Sequence, residues 1–358
     1  MKVSDFYYNL PENLIAQEPL LERDKSRLLI IRRKEISMEE DFFYNLKEYL
    51  NPGDCLVLND SKVIPARLFA IKKETGAKIE ILLINEIKKN FWTVLIKPYK
   101  RVKIGTILIL LSKNSSEKSN IRCVIKNMIG EGIAEIKFFK EKSNKETFKL
   151  IDNEELKKDI FLLGKAPIPP YIKNPDIETN RYQTIYAKEE GSIAAPTAGL
   201  HFTDKILKDI KKKDIEIATI TLHVSLDTFR PIKVDNIEEH VMHSEQFYIK
   251  EEQSEVINQA KANSGRIIAV GTTTTRALET VAEDGKVKPF SGRTDLFITP
   301  EYKFKIVDGL LTNFHLPCST LFIMVCTFAN RDLMNNAYNL AIEKKYRFYT
   351  FGDAMLIL

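Results

Sequence analysis

The sequence predicts an α/β main domain interrupted by an inserted small all-β barrel domain. Three observations predict it. Apolar strand segments, loops and amphipathic helices follow one another in the second half of the chain, the order of α/β architecture. From about Ala66 the pattern switches to six short segments of period-2 alternation, then returns to helix near residue 155. Charge follows the same division: residues 62–158 hold 22 Lys/Arg against 11 Asp/Glu, and the remainder hold 32 against 38. An insertion accounts for all three, with a discontinuous α/β domain at 1–64 and 156–358 and the barrel at 65–155.

The elements follow in order. Asp5, Pro11, Pro19 and the LERDKSR run make an irregular start, and LLII then reads as a buried strand. MEEDFFYNLKEYLNPGD has helical spacing at Phe42, Phe43, Leu46 and Leu50 and a stop at Asn51, Pro52 and Gly53. CLVL is a short strand leading to polar Asn59, Asp60 and Ser61. ARLFAIKK, KIEILLINE, FWTVLIKP, TILILL, NIRCVIKNM and GIAEIKFFK are the six barrel strands, separated by turn residues. NEELKKDIFLLG is a helix, and KAPIPPYI a stiff connector. The small-residue loop GSIAAPTAGLHFT precedes a helix, TDKILKDIKKK, with Thr203 as its N-cap and Ile206, Leu207 and Ile210 on one face. IEIATITLHV is a strand, EEQSEVINQAKANSG a helix, RIIAV a buried strand, GTTTTR a loop, and RALETVAED a helix. STLFIMVCTFA and the segment around NAYNLAIEKK complete the helices.

Composition narrows the function classes. The apolar fraction of 44% and charged fraction of 29% fit a globular protein. No apolar run reaches the ~18 residues of a membrane span, and the N-terminus has no signal-peptide core. Cys55, Cys123, Cys318 and Cys326 lie far apart, which argues against a zinc site or a disulfide framework and for the cytoplasm. A basic segment on an acidic body suggests an anionic partner such as RNA, although lysines also coat exposed sheets.

Candidate site residues fall in loops that enter helices. Ala195, Pro196, Thr197 and Gly199 lack bulk, so a ligand can approach their main chain, and His201 and Phe202 follow at once. Gly271, Thr272, Thr273 and Thr274 follow a strand and open a helix, where N–H groups and hydroxyls can hold a phosphate, carboxylate or ribose. The spacing is neither a Walker A loop nor GxGxxG, and a plain Thr-rich cap fits equally well. His240 and His243 stand three apart, with Glu245 beside them as a general base or its orienter. Asn313 and His315 sit in TNFHLP and can bind a polar ligand. Arg67, Arg230 and Arg276 can pair with phosphate. No nucleophile elbow, CxxC or kinase signature occurs, so these residues by themselves name no reaction.

GDCLVLNDSKVIPARL, APTAGLHFT, LHVSLDTFRPI, HVMHSEQFYI, AVGTTTTRALET, DGLLTNFHLPCSTL and YRFYTFGDAMLIL occur in this order along the chain. Together they resemble the S-adenosylmethionine:tRNA ribosyltransferase-isomerase family of queuosine biosynthesis, over essentially residues 1–358. Ser225 and Asp227 stand where the family segment has glycines, and Glu301 where its PGY turn has one. The resemblance implies transfer of the ribosyl part of S-adenosylmethionine to 7-aminomethyl-7-deazaguanine in a tRNA with a GUN-type anticodon. Isomerisation then gives epoxyqueuosine-tRNA, with adenine and methionine released and no metal. It also implies a cytoplasmic enzyme, a monomer, with no membrane partner. Aromatic faces at Tyr182, Tyr186, Phe202 or Phe229 can hold the sulfonium by cation–π attraction. His201 is the favoured proton-transfer or ribose-orienting residue, with Glu245, His243 and His315 behind it. The competing readings are a conventional RNA methyltransferase, which lacks its Gly-rich strand–loop–helix here, and a non-catalytic RNA-binding protein.

Overall fold

LLII, CLVL, IIAV and AMLI carry no polar alternation, so the sheet they build has to be covered on both faces. The computed structural model describes residues 1–113, 117–141, 153–169, 171–173, 178–225 and 232–358. It opens with β1 (Arg27–Arg32), β2 (Ser37–Phe42), β3 (Cys55–Asn59) and the short β4 (Ser61–Val63). Six strands follow: β5 (Arg67–Lys72), β6 (Lys78–Lys88), β7 (Phe91–Lys97), β8 (Ile107–Leu111), β9 (Lys118–Gly130) and β10 (Ile133–Lys140). Then come α1 (Asn153–Leu163), β11 (Glu189–Ser192), α2 (Asp204–Lys211), β12 (Glu216–Leu222) and β13 (Glu245–Ile249). Next are α3 (Glu251–Ala262), β14 (Ile267–Val270), α4 (Thr272–Val281), β15 (Ala282–Glu283), β16 (Lys286–Val287) and β17 (Phe290–Thr294). β18 (Gly309–Asn313), α5 (Thr320–Ala329), α6 (Arg331–Glu343) and β19 (Ala354–Ile357) complete the chain.

Two compact units result, one of Met1–Lys62 with Pro169–Leu358 and one of Val63–Ile168. The first is built on a nine-stranded sheet in the order β17-β13-β12-β3-β14-β18-β19-β1-β2. Its middle four strands, β12, β3, β14 and β18, run parallel to one another, with antiparallel β13 and β19 on either side. Successive residues of one strand serve opposite cores. Leu29, Ile31, Val57, Ile220 and Ala269 pack with Ile257, Leu278, Phe322 and Tyr338 from α3, α4, α5 and α6. Leu28, Ile30, Leu56, Leu58 and Ile268 pack with Phe43, Leu46, Phe202, Ile206 and Ile210 on the other face.

In the second unit the six strands close into an antiparallel barrel, β10-β7-β6-β5-β8-β9, as the period-2 pattern predicts. Leu68 and Ala70, Ile79 and Ile81, Val94 and Ile96, and Ala134 and Ile136 are alternate residues that point inward and are buried. Where the chain enters and leaves this unit it pairs with itself: Arg67 donates to the Lys165 carbonyl at 3.0 Å, and Lys165 donates back at 2.9 Å.

Three local expectations change. The segment expected as a helix near residues 39–50 is strand β2 followed by a 3-10 helix, Phe43–Tyr49. Phe43, Leu46 and Leu50 keep their shared buried side, but Glu39, Glu40 and Asp41 lie on an edge strand, where charge discourages further pairing. The threonines of GTTTTR are the first turn of α4 rather than a loop before it. His240 and His243 share no helix, since the chain from His240 to Ser244 is irregular.

Glu301 has φ +83, a left-handed conformation that a side chain resists. The loop holds it there. The buried Glu279 carboxylate accepts the N–H groups of Lys305, Ile306 and Val307 at 2.8, 3.1 and 3.0 Å and the Tyr302 hydroxyl at 3.1 Å. Glu301→Gly should therefore be more stable than Glu301→Ala by about 1 kcal/mol. Equal urea midpoints for the two variants would show that the turn carries no such strain.

Candidate functional site

Parallel neighbours end at the same edge of a sheet, and ligands of open α/β sheets gather at the carboxyl ends of the strands. At that edge of β12, β14 and β18 lies a narrow crevice with about 30 Å³ of enclosed space. It is lined by Ala195, Pro196 and Thr197 from the small-residue loop and by Gly271, Thr272 and Thr273 from the start of α4. Thr312, Asn313 and His315, at and just beyond the end of β18, complete that side. Two segments far apart in sequence, each singled out for its small polar residues, thus share one wall.

Local geometry explains the residue types. Gly271 has φ +93, which turns the chain from β14 into α4, and it carries no side chain to cap the helix. Thr272 and Thr273 therefore bring an uncapped helix N-terminus to the crevice, a setting that favours anionic or strongly accepting groups. Thr197–His201 form a tight 3-10 turn. Gly199 is required there by crowding, since a Cβ would collide with the Tyr186 hydroxyl. Thr203 caps α2, accepting the Ile206 N–H at 3.4 Å.

The amide of Asn313, 2% exposed, is the most telling group. Its Nδ2 lies 3.1 Å from His201 Nε2, and its Oδ1 is buried without a partner. With the amide oriented so, His201 carries its proton on Nδ1 and donates to Ser26 Oγ at 2.8 Å. A buried acceptor without a donor is costly, and a ligand N–H or O–H would satisfy it. Burial, ahead of the nearby Arg347 and Arg23 charges, pushes the His201 pKa down to about 4. Burial also pushes His315 down to about 3, and its Nε2 lies 2.9 Å from Thr312 Oγ1. Both imidazoles are neutral near pH 7 and act here as hydrogen-bonding groups.

Several predicted site residues lie elsewhere. Arg276 and Glu245, each 2% exposed, form a buried ion pair between Nη1 and Oε2. Arg276 also donates to the carbonyls of Leu296 at 2.9 Å and Thr294 at 3.3 Å, and Glu245 accepts the Ser225 N–H at 2.9 Å. Arg276 is therefore turned into the protein rather than toward an RNA, and the Glu245 carboxylate is engaged by the guanidinium and the Ser225 N–H. His243 is exposed and does not line the crevice. Phe202 is fully buried against Phe43 and Tyr186, and Tyr182 is fully buried too, so neither ring faces the crevice. The Thr274 hydroxyl donates to the Val270 carbonyl at 2.7 Å, a helix-internal bond. Arg67 forks onto Glu80 at 2.8 and 3.2 Å, which neutralises its charge. Phe229 and Arg230, with Asp227, lie outside the described residues. Val224, Thr312, Leu321, Tyr349 and Thr350 also line the crevice, although none stands out in the sequence as a site residue. Thr312 adjoins Asn313, and Tyr349 and Thr350 belong to YRFYTFGDAMLIL, so motif membership was the available signal.

Among the described residues no group of three or more His, Cys, Asp or Glu side chains is placed to hold a metal ion, and no helix is long and apolar enough to cross a membrane.

Two predictions follow from the buried groups. Breaking the pair by Glu245→Gln alone should cost about 3–5 kcal/mol, because it strands a buried guanidinium. Glu245→Leu combined with Arg276→Met should cost less than Glu245→Gln; a double variant no more stable in urea than the single one would refute this. The histidines add a pH dependence. Their folded-state pKa values lie below the ordinary 6.5, so the unfolded chain binds more protons between pH 6.5 and about 4 for His201, and down to about 3 for His315. Stability is full above pH 6.5 and falls as pH drops, by up to about 1.4 kcal/mol per unit for each histidine. His201→Gln should flatten that slope in urea titrations across pH 4.5–7.

A family model described as queuosine biosynthesis protein matches residues 3–357. Two relatives bear the name S-adenosylmethionine:tRNA ribosyltransferase-isomerase. One, from Caldanaerobacter subterraneus subsp. tengcongensis, is 51% identical over 361 residues, and the other, from Thermosipho melanesiensis, is 48% identical over 357; all of this chain and all of each relative are covered. A crystal structure of S-adenosylmethionine tRNA ribosyltransferase from Thermotoga maritima is 37% identical, with a TM-score of 0.55, and the match covers 99% of this chain and 100% of that one.

Proposed function

The chain belongs to the queuosine biosynthesis protein family, and from that premise we propose how its crevice serves the family's reaction. The enzyme is a transferase-isomerase that moves the ribosyl part of S-adenosylmethionine to 7-aminomethyl-7-deazaguanine in the tRNA anticodon and isomerises it to epoxyqueuosine, releasing adenine and methionine. The observation that carries our reading of the site is the meeting of the Ala195–Thr197 loop, the uncapped start of α4 and the unpartnered Asn313 Oδ1 in one crevice.

The sulfonium of S-adenosylmethionine supplies the chemistry: it acidifies the neighbouring C5′ hydrogens and departs later with methionine. The protein's part is to position and to stabilise. Ala195 and Pro196 carry little bulk, so a nucleoside that parts the crevice walls would lie against main chain there. Thr272 and Thr273 offer N–H groups and hydroxyls to its ribose or carboxylate. Asn313 Oδ1 takes one ligand donor, and the Ser26–His201 chain holds that amide in place. Tyr349 replaces Phe202 as our candidate aromatic face, because it lines the crevice. His201 then orients rather than transfers a proton, since both of its nitrogens have partners. The proton is left to the substrate's own amine or to His315. The proposal extends to a monomeric cytoplasmic enzyme acting on tRNAs with GUN-type anticodons, with the lysine-rich insert helping to hold the RNA.

Mass spectrometry of tRNA incubated with the enzyme and S-adenosylmethionine tests the reading. Added epoxyqueuosine mass with free adenine supports it, whereas S-adenosylhomocysteine would mean methyl transfer. Thr273→Val and Asn313→Leu should fold normally. Asn313→Leu should weaken S-adenosylmethionine binding about 3- to 10-fold, as loss of one net hydrogen bond implies. Unaltered calorimetric affinity in both would place the ligand elsewhere.

A further inference from the structure

We propose that Arg23 and Arg181 form a phosphate subsite for the RNA substrate, beside the crevice and divided from it by the His201–Asn313 hydrogen bond. Arg23 donates to the carbonyls of Gln183 and Asn180, both at 2.7 Å. Arg181 reaches back to the carbonyl of Leu21 at 3.1 Å and to that of Leu20. Each arginine thus braces the segment that carries the other. Every one of these acceptors is a neutral carbonyl, so the bonds fix both guanidinium planes and compensate neither charge.

Among the described residues no carboxylate lies within ion-pair distance of Arg23 or Arg181. A third guanidinium, Arg347, is near enough to act on His201 and has Nη1 buried without a partner. Asp353 and Glu18 act on Arg347 electrostatically. Burial, and then the charge of Arg181, lowers the Arg23 pKa, as expected of like charges confined together. Arg23 and Arg181 line a small pocket with Ser26, His201 and Thr350. Thr350 also lines the crevice.

Two fixed cations facing one pocket are pre-organised for an oxyanion, and arginine's planar fork suits phosphate. The inference rests on the reading above, in which the substrate is RNA. A backbone phosphate here would hold the nucleotide chain one hydrogen-bonded pair away from the nucleoside crevice. The other oxyanion available in that reaction is the carboxylate of S-adenosylmethionine, and the experiment separates the two.

Binding of tRNA is measured by fluorescence anisotropy over a salt series, with wild type, Arg23→Gln, Arg181→Gln and Arg181→Lys, and S-adenosylmethionine binding is measured calorimetrically in parallel. The Gln variants should bind tRNA more weakly, and the log–log salt slope should fall by roughly 0.7 for each phosphate contact removed. Arg181→Lys should restore most of the slope, because it keeps the charge while losing the carbonyl brace. In turnover, KM for tRNA should rise with kcat preserved. An unchanged slope in Gln variants that fold would overturn the subsite. Weaker S-adenosylmethionine binding with an intact tRNA slope would assign the arginines to the carboxylate instead. If the Gln variants fail to fold, Arg181→Lys decides: a slope lowered like that of a lost contact, despite the retained charge, refutes the proposal. Wild type that binds no tRNA at any salt would sink the RNA reading itself.

Discussion

The buried ion pair between Arg276 and Glu245 sets the geometry on which the candidate site depends. Arg276 belongs to α4, the helix whose first residues line the crevice, and Glu245 begins β13, the strand beside β12. The same carboxylate holds Ser225 N–H, just past the lining residue Val224. One pair of opposite charges therefore ties a helix, a strand and the loop after β12 into a single frame. Desolvating two ions is costly, so such a pair contributes little net stability compared with an apolar one. Its value is directional: the arginine's additional carbonyl acceptors permit one arrangement of α4 over the strands.

Around that frame the site relies on neutral polar groups. His201 and His315 are buried so thoroughly that their charged forms are disfavoured, and each is held by hydrogen bonds to its neighbours. A ligand that already bears a sulfonium needs few ionised partners at its reacting end. What it needs is fixed acceptors, small neighbours and exclusion of water, which the alanines, threonines and Asn313 can supply.

Much of this was legible in the sequence, for physical reasons. The barrel could be read because alternate inward residues leave a period of two, as at Val94 and Ile96. The α/β body could be read because strands buried on both faces are apolar throughout. The two loops of the crevice stood out by their small and hydroxylated residues. What local pattern could not show was pairing across the chain. Nothing near Glu245 in sequence reveals that Arg276 lies against it, and nothing near Arg67 shows that Glu80 will neutralise it. Phe202 looked available because it follows the loop, yet it fills the core beside Phe43. Edge strand β2 was mistaken for helix because an exposed edge needs no apolar face, so its period carries no signal.

The reciprocal bonds between Arg67 and Lys165 have a meaning for the whole chain. About a hundred residues separate them, yet their main chains lie side by side. Seen from the rest of the fold, the long excursion is closed at its neck and costs the entropy of a short loop once the barrel has formed. The barrel also has no free sheet edge. Its outward residues can therefore change in charge and length without exposing an edge for another chain to pair with.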